Sequence, residues 1–139
     1  MILSFAPDVT KHRLCLILPR PASCPANRNM EAGQETVDEA HKVAQGNKVT
    51  AMKMDLADLA TVKQFVTEFL SKFSRLDVLV NNAGVMACPF ETTKDGYEKQ
   101  FQTNHIGGFA AKILLSLHRF TSSGNMCIAC LPDHARDKL

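Results

Sequence analysis

The feature that most constrains this chain is an apolar run that ends abruptly in two amides and a glycine. The stretch from Leu76 to Gly84 is Leu-Asp-Val-Leu-Val-Asn-Asn-Ala-Gly. A short apolar, β-branched-rich run that stops at turn-forming residues is typical of a strand buried on both faces. Such strands belong to parallel sheets covered by helices, whose ligands bind beyond the carboxyl ends of the strands. We therefore expect a ligand near Asn81 to Gly84, where Gly84 allows it to approach the main chain closely.

Length and charge narrow the class of protein. The chain has 139 residues, 45% hydrophobic and 22% charged, which predicts at most one globular domain. A net charge of +2 without a basic cluster argues against a nucleic-acid partner. The apolar run Leu14 to Leu18 is too short for a transmembrane segment, and Met1 to Phe5 is too short for a secretory signal. We expect a soluble, intracellular protein of the cytoplasm.

The five cysteines do not predict a metal site. An intracellular chain keeps them reduced. Cys127-Ile-Ala-Cys130 has the spacing of a redox or metal pair, but no second pair of ligands accompanies it and only His134 lies close. Two small apolar residues in a short run are the favoured interpretation.

Strand and helix patterns alternate along the middle of the chain. Helices are predicted at Glu31 to Gln45, with Asn29 as N-cap, at Asp58 to Phe73, and from Lys94 or Asp95 to about Phe120. Strands are predicted at Lys48 to Asp55, at Asp77 to Asn81 (the central strand) and at Met126 to Leu131. Alternation with short links indicates a parallel α/β sheet built from right-handed crossovers.

The two ends carry weaker signals. We predict an irregular segment over residues 1–27, the α/β body over 28–120, and a short strand with a frayed tail over 121–139. Arg13 to Leu18 is a candidate strand, but Pro19, Pro21 and Pro25 predict nine irregular residues after it.

Four motifs, in order and at the right spacing, resemble those of the short-chain dehydrogenase/reductase family. Asn81-Asn82-Ala83-Gly84 resembles the family's Asn-Asn-Ala-Gly signature. Twenty-three residues after Asn81, Asn104-His105-Ile106-Gly107 is similar to the helix motif that carries its catalytic asparagine. Met54-Asp55-Leu56 and Arg28-Asn29-Met30 resemble the motifs after its third and second strands.

The resemblance runs from about Asn27 to about His118, and its detail points to one branch of the family. Val85 to Phe90 and Lys94 to Tyr97 are similar to the retinol dehydrogenase branch. The implied fold is a partial Rossmann-like parallel sheet with flanking helices, incomplete relative to the family. The implied reaction is the NADP-linked interconversion of a retinol-like lipophilic alcohol and its aldehyde or ketone.

The resemblance also implies roles for single residues. Arg28 would meet the 2′-phosphate of NADP, because a guanidinium pairs bidentately with phosphate. Asp55 would accept from the adenine amino group and Leu56 would pack on the ring. The adenosine side of the groove would be lined by Asn82, Ala83 and Gly84. Asn104 would help to place a catalytic lysine and a water in a proton relay.

Structural roles remain open for the same residues. A solvated Arg28, a helix-capping Asp55 and an Asn104 bonded to backbone would all fit the sequence. For Asn81, a hydrogen-bonding role within the sheet is favoured over ligand contact. His105 is favoured as a packed or exposed histidine, and Tyr97 as a half-buried helix residue.

The chain departs from the family at the positions that do the chemistry. Its first glycine is Gly33, so no glycine-rich turn can cradle a pyrophosphate after a first strand. Its only tyrosine is Tyr97, and Phe101 stands four residues later where a lysine would be needed. No serine follows the last predicted strand, and Gly108 replaces the family's usual histidine.

These departures predict a chain truncated at both ends that does not catalyse the family reaction by itself. The alternative is a non-catalytic interaction module that pairs with a full-length relative, through an open edge at Val78 to Val80 and through the long helix. A third interpretation is a chain that folds poorly.

Overall fold

The computed structural model describes residues 2–5, 22–43, 46, 48–117 and 127–130. The six strands are β1 Ile2–Phe5, β2 Ala22–Asn27, β3 Lys48–Val49, β4 Met52–Lys53, β5 Val78–Asn81 and β6 Cys127–Cys130. The helices are α1 Met30–Val43, α2 Leu59–Lys72, α3 Lys99–Phe101 and α4 Gly107–Leu117, with a π-helical turn at Gln102–Ile106 between α3 and α4.

All six strands form one parallel sheet, as the sequence predicts. The order is β3-β2-β1-β5-β6, with β4 also paired to β2. The register pairs Leu3 with Cys24 on one side and with Leu79 on the other. This order is that of a Rossmann-like sheet, with the first strand between the second strand and the later ones.

The prediction for the first 27 residues differs from the structure. The central position is filled by β1, whereas the candidate strand Arg13 to Leu18 lies outside the described residues. Because β5 pairs with β1 on one side and with β6 on the other, the predicted open edge at Val78 to Val80 is wrong.

Pro25 lies inside a strand that the proline pattern had excluded. The carbonyl of Ser23 accepts from the Thr50 N–H at 3.1 Å, and that of Asn27 accepts from the Met54 N–H at 2.9 Å. Alternate residues of β2 therefore turn their backbone groups toward β3 and β4. Pro25 is the middle one of these residues, between Ser23 and Asn27. Since proline has no N–H to donate, the ladder is interrupted opposite it, and two short strands stand where one was predicted.

Helices cover both faces of the sheet. Cys24 and Ala26 of β2 face the main core together with Phe65 and Phe69 of α2. Asn27 faces the other way, toward Gly33 of α1, because successive strand residues point to opposite faces. Beneath α1 lies a smaller cluster of Val37, Ala40 and Val49.

The main core forms around the broad apolar face of α2. Phe65 and Phe69 are almost wholly buried, and their ring centroids lie 5.9 Å apart. They are packed in one cluster with Leu79 of β5 and with Ala111 and Leu115 of α4. The same core therefore packs against both β5, which leads into the predicted site, and α4.

Helix boundaries agree with the sequence where a cap is present. The Asn29 side chain accepts from the Glu31 N–H at 2.8 Å, as predicted for the start of α1. The third long helix begins at Lys99 instead of Lys94, because Thr93 and Gly96 form a turn in which Gly96 has φ +85°. Glu98 then caps the N–H groups of Gln100 and Phe101, at 2.8 and 2.7 Å. Tyr97 consequently precedes the helix and does not form part of it.

Among the helices of the described ranges, none combines the length and apolarity needed to cross a bilayer.

Candidate functional site

The predicted site residues follow strands that end at one edge of the sheet. Arg28 follows β2, Asp55 lies two residues beyond β4, and Asn82 to Gly84 follow β5. Parallel strands present their carboxyl ends together, and this is the edge at which such sheets bind ligands. The structure therefore brings the predicted cofactor residues to one side of the sheet.

Asn104 fixes the turn that follows β5. Its Oδ1 accepts from the Val85 N–H at 2.8 Å, and its Nδ2 donates to the Val85 carbonyl at 2.9 Å. Asn104 lies in the π-turn, where the Gly107 N–H bonds to the Gln102 carbonyl five residues back. Such π-turns are frequent at functional sites. The contact seen for Asn104 is thus the backbone role that the sequence had left open, and its catalytic role stays a prediction.

Gly107 holds the turn after β4 against the same helix. A Cβ atom at this position would lie 2.6 Å from the Leu56 carbonyl oxygen and 2.8 Å from the Leu56 Cβ. Only glycine permits this approach of helix to turn. Since Asn104 and Gly107 are three residues apart, one short stretch of helix positions the turns after both β4 and β5.

The side chain of Asp55 uses one of its two carboxylate oxygens within the described part of the chain. Its Oδ1 accepts from the Ala57 N–H at 2.9 Å, and its backbone N–H donates to the Thr61 hydroxyl at 3.0 Å. Within the described part of the chain, no group donates to Oδ2. The helix-capping alternative for Asp55 is wrong, because Asp58 caps α2 by accepting from the Ala60 N–H at 3.1 Å.

The remaining predicted pocket residues expose little side chain. Leu56 is 6% exposed and belongs to the main core. Asn82 is buried and makes a polar interaction within the protein. Ala83 and Gly84 are half-buried, so this part of the edge offers mainly backbone to a ligand.

Arg28 lies near a second cation that the sequence analysis did not single out. Lys99 forms an ion pair with Glu91 at 2.6 Å, and this contact raises the pKa of Lys99. The charge of Arg28 opposes that rise, so the two cations are close enough to interact. Arg28 itself is exposed and already interacts with other groups of the protein.

A buried polar network links the loop before α3 to the start of α2, and sequence reasoning missed it. Gln102 is fully buried, accepts from the Thr93 hydroxyl, and donates to Asp95 Oδ2 at 2.6 Å. The same Asp95 oxygen accepts from the Leu59 N–H at 2.9 Å, which adds a second cap to α2. The only feature of the sequence that could have indicated this network is the polar character of the loop.

An ion pair strengthens the same junction. Lys94 Nζ lies 3.1 Å from Asp58 Oδ2. The hydrogen bond from Lys94 lowers the pKa of Asp58, and the N–H groups that Asp58 caps act in the same direction. Charge therefore reinforces the hydrogen-bonded contact between this loop and α2.

Asn81 has one polar atom that finds no partner among the described residues. Its Oδ1 is buried, and no group of the described residues donates to it. A Cβ atom at Gly108 would lie 3.6 Å from this oxygen. Asn81 was predicted to tie neighbouring backbone together through its amide, and among the described residues its Oδ1 makes no such bond.

Tyr97, the only tyrosine of the sequence, is followed four residues later by Phe101, so it does not form the family's tyrosine-plus-lysine spacing. Tyr97 is 44% exposed and precedes α3. Phe101 stacks instead on His105, with ring centroids 5.7 Å apart, and the His105 side chain is exposed, as expected.

Cys24 lies in the core and is not a candidate nucleophile. Burial raises the pKa of the Cys24 thiol to about 12, which makes it an inert core residue. Among the described residues, no cluster of three potential metal ligands is present. Cys127 and Cys130 lie at the two ends of β6.

Comparison with known proteins fits this geometry. The family described as short chain dehydrogenase matches residues 22–124. An oxidoreductase of Schizosaccharomyces pombe is 41% identical over 90 residues, which are 65% of this chain and 26% of the relative. Human retinol dehydrogenase 13 is 39% identical over 90 residues, which are 65% of this chain and 27% of the relative. The chain thus spans about a quarter of the length of these curated relatives.

Solved structures show the same fold. An uncharacterized protein from Mycobacterium paratuberculosis is 31% identical, with a TM-score of 0.64 over 84% of this chain and 41% of that one. NAD⁺-bound xylitol dehydrogenase is 20% identical and shares the fold alone, with a TM-score of 0.69 over 99% of this chain and 54% of that one. On its sequence match and its sheet order, this chain belongs to the short-chain dehydrogenase family, with retinol dehydrogenases among its relatives, and represents part of the family fold.

Proposed function

We propose that this chain retains the adenosine side of an NADP(H) pocket and that it does not, by itself, transfer hydride between an alcohol and a carbonyl. One observation carries the proposal. The turns that follow β4 and β5 are both fixed to one stretch of helix, through Gly107 against Leu56 and through Asn104 bonded to Val85. A part of the fold that no longer bound a cofactor would not need to keep both contacts.

The chemistry of this edge suits an adenosine 2′-phosphate. Asp55 Oδ2 can accept from an exocyclic amino group. Arg28 provides a guanidinium at the end of β2, and a guanidinium pairs bidentately with a phosphate monoester. In this assignment Leu56 contributes the edge of its largely buried side chain to the adenine site, and Asn82, Ala83 and Gly84 contribute backbone. NADP is therefore the cofactor that we propose for this site.

The half of the pocket that would hold the pyrophosphate and the reacting groups lacks the residues that binding and proton transfer require. No glycine precedes Gly33, so the close backbone approach that a pyrophosphate requires is missing from the sequence. The missing tyrosine and lysine remove general acid–base catalysis, which is typically worth about 10²–10⁴-fold. The family reaction, with a retinol-like alcohol or aldehyde as substrate, is thus proposed for longer relatives and not for this chain alone.

Titration calorimetry with two ligands tests the half-pocket directly. Adenosine 2′,5′-bisphosphate contains only the part of NADPH that this edge would hold. We expect NADPH to bind no more than about tenfold more tightly, a difference of about 1.4 kcal/mol. A much tighter NADPH complex would show a working pyrophosphate site, and the absence of binding by either ligand would refute the proposal.

Two substitutions locate the binding site. Arg28→Gln should weaken adenosine 2′,5′-bisphosphate by about tenfold or more, because a charge-assisted hydrogen bond contributes about 1.5–3 kcal/mol. The same change should leave 5′-AMP unaffected. Arg75→Gln is the matched control, since Arg75 is an exposed arginine paired with Asp77 outside this edge.

An activity assay tests the second part of the proposal. Purified chain, NADPH and retinal should give no NADPH oxidation above background. Turnover that disappears in Asn104→Ala would show that the site is catalytic after all.

The alternative of a module that pairs with a full-length relative loses one of its two supports. The central strand has neighbours on both sides, so only the face of the last long helix remains available for a partner.

A further inference from the structure

Gln102, the first residue of the π-turn, is completely buried. Removing a side-chain amide from water costs free energy unless its oxygen and its nitrogen both find hydrogen-bonding partners. At a position whose role was packing alone, an aliphatic side chain of similar size would avoid this cost. The partners of the Gln102 amide therefore indicate its role.

Both ends of this amide are satisfied by the loop that precedes α3. The side-chain oxygen of Gln102 accepts from the Thr93 hydroxyl, and Nε2 donates to Asp95 Oδ2 at 2.6 Å. An aliphatic side chain could make neither bond, and a carboxylate could make only the first, because it has no N–H to donate. The main-chain carbonyl of Gln102 accepts from the Gly107 N–H, which closes the π-turn. Gln102 thus ties the loop to the π-turn.

The same network reaches the turn after β4 through the first turn of α2. Asp95 Oδ2 also accepts from the Leu59 N–H at 2.9 Å, which fixes the start of α2. Two residues further on, the Thr61 hydroxyl donates to the Asp55 carbonyl at 2.8 Å and accepts from the Asp55 N–H at 3.0 Å. The first turn of α2 therefore holds the backbone of Asp55, the residue proposed to accept from adenine.

The π-turn reaches the turn after β5 through Asn104. Gln102 and Asn104 are two residues apart in the π-turn, and the Asn104 amide bonds to both backbone groups of Val85. Because π-helical turns are rare and occur mostly as single turns within α-helices, contacts from the rest of the protein must select them. The Gln102 side chain makes such contacts, so its loss should loosen the turn and move Asn104 relative to Val85.

We propose, on the basis of the proposed function, that Gln102 is a positioning residue of the adenosine site. Its amide couples the turn after β4, through Asp95 and α2, to the turn after β5, through Asn104. Gln102 has no exposed surface with which to touch a nucleotide, so it acts through these neighbours. A nucleotide that contacts both turns binds more tightly when they are held at a fixed spacing, because less freedom is lost on binding.

Two substitutions of Gln102 test the proposal by titration calorimetry with adenosine 2′,5′-bisphosphate. Gln102→Ala should weaken binding by about tenfold, within the range of about 5–150-fold that is typical of coupling between sites. Gln102→Glu should make binding depend on pH. A protonated carboxyl reproduces the acceptor and the donor of glutamine, whereas an ionised one cannot donate and repels the Asp95 carboxylate.

Burial and the charge of Asp95 both raise the pKa of the carboxyl that Gln102→Glu introduces. Relative to wild type, this variant should bind within about twofold at about pH 5 and about tenfold more weakly at about pH 8. Wild type at the same pH is the reference, because the ligand's phosphates titrate in this range and the ion pair of Lys94 with Asp58 at the same junction is present in both proteins.

Val66→Ala is the matched control for stability. Val66 is buried in the main core, two turns along α2 from Leu59, and takes part in none of these side-chain hydrogen bonds. The substitution should lower Tm, as Gln102→Ala does, yet it should leave the dissociation constant within about twofold of wild type, as expected for a distant site in a protein that stays folded. A merely structural Gln102 would give the same result as this control.

Hydrogen exchange of the Val85 amide separates this proposal from the proposed function, because it needs no ligand. The amide should exchange at least about tenfold faster in Gln102→Ala than in Val66→Ala. Faster exchange in a protein whose wild type binds no nucleotide would refute the pocket and support the coupling. Unchanged exchange would overturn the proposal. Wild-type affinity in Gln102→Ala, or an affinity of Gln102→Glu that does not change with pH relative to wild type, would overturn it as well.

Discussion

Asn81 Oδ1, which is buried and accepts no hydrogen bond from the described residues, leads to a quantitative prediction about Gly108. A buried acceptor without a donor costs about 1–3 kcal/mol relative to a satisfied one. A serine at position 108 would carry its hydroxyl about 1.4 Å from a Cβ that lies 3.6 Å from Asn81 Oδ1, which brings the two oxygens to roughly hydrogen-bonding distance. The same Cβ meets nothing closer than 3.4 Å, so the substitution needs no rearrangement.

Gly108→Ala separates the hydrogen bond from helix propensity. Alanine should stabilise the protein by up to about 1 kcal/mol because glycine is a poor helix former, and serine should gain about half of that from propensity alone. If serine also satisfies Asn81, Gly108→Ser should exceed Gly108→Ala by about 0.5–1.5 kcal/mol, or roughly 2–5 °C in Tm for a chain of this length. Urea and thermal unfolding followed by circular dichroism would measure the difference.

A double-mutant cycle supplies the refutation. In an Asn81→Val background the acceptor is gone, and Gly108→Ser should fall about 0.5 kcal/mol below Gly108→Ala. If serine is less stable than alanine by this amount in both backgrounds, Asn81 Oδ1 already has a donor and the reasoning fails.

Two further predictions concern the supports of the site. Gly107→Ala should destabilise the protein by more than about 2 kcal/mol despite alanine's higher propensity, since a Cβ would lie 2.6 Å from backbone oxygen; a gain in Tm would contradict the close packing. The pKa of Asp58 is lowered by its contact with Lys94, so its contribution to stability is present above the ordinary carboxyl pKa of about 4 and is lost as pH falls below it. The wild-type protein should therefore lose more Tm than Asp58→Asn between pH 5 and about pH 3, and equal losses would count against the ion pair.

Structural elements could be predicted from the sequence wherever local pattern and tertiary packing agree. The buried strand β5, the apolar face of α2 and the Asn29 cap were all predictable, because each is specified by neighbouring residues. The edge of the sheet at which Arg28, Asp55 and Asn82 gather was predictable as well, since parallel strands end together.

Three features were beyond the reach of local pattern. β1 has four residues, too few for a periodic signal, and only its two neighbours make it a strand. β2 contains Pro25 and loses one hydrogen bond of the ladder there, which leaves β3 and β4 as two short strands. The π-turn depends on hydrogen bonds five residues apart and on the close contact of Gly107 with Leu56, neither of which a helical pattern encodes.

The position of β1 also determines when the sheet can close during synthesis. Among the described strands, β2 begins twenty residues after β1, and β5 begins only at residue 78. The side of β1 that faces β2 can therefore pair early, whereas the side that faces β5 must wait until the residues from 78 onward have been translated. Loop-closure entropy must be lost before this pairing gives any stability, so we expect the nascent chain to fold late and slowly compared with a helical protein of equal size.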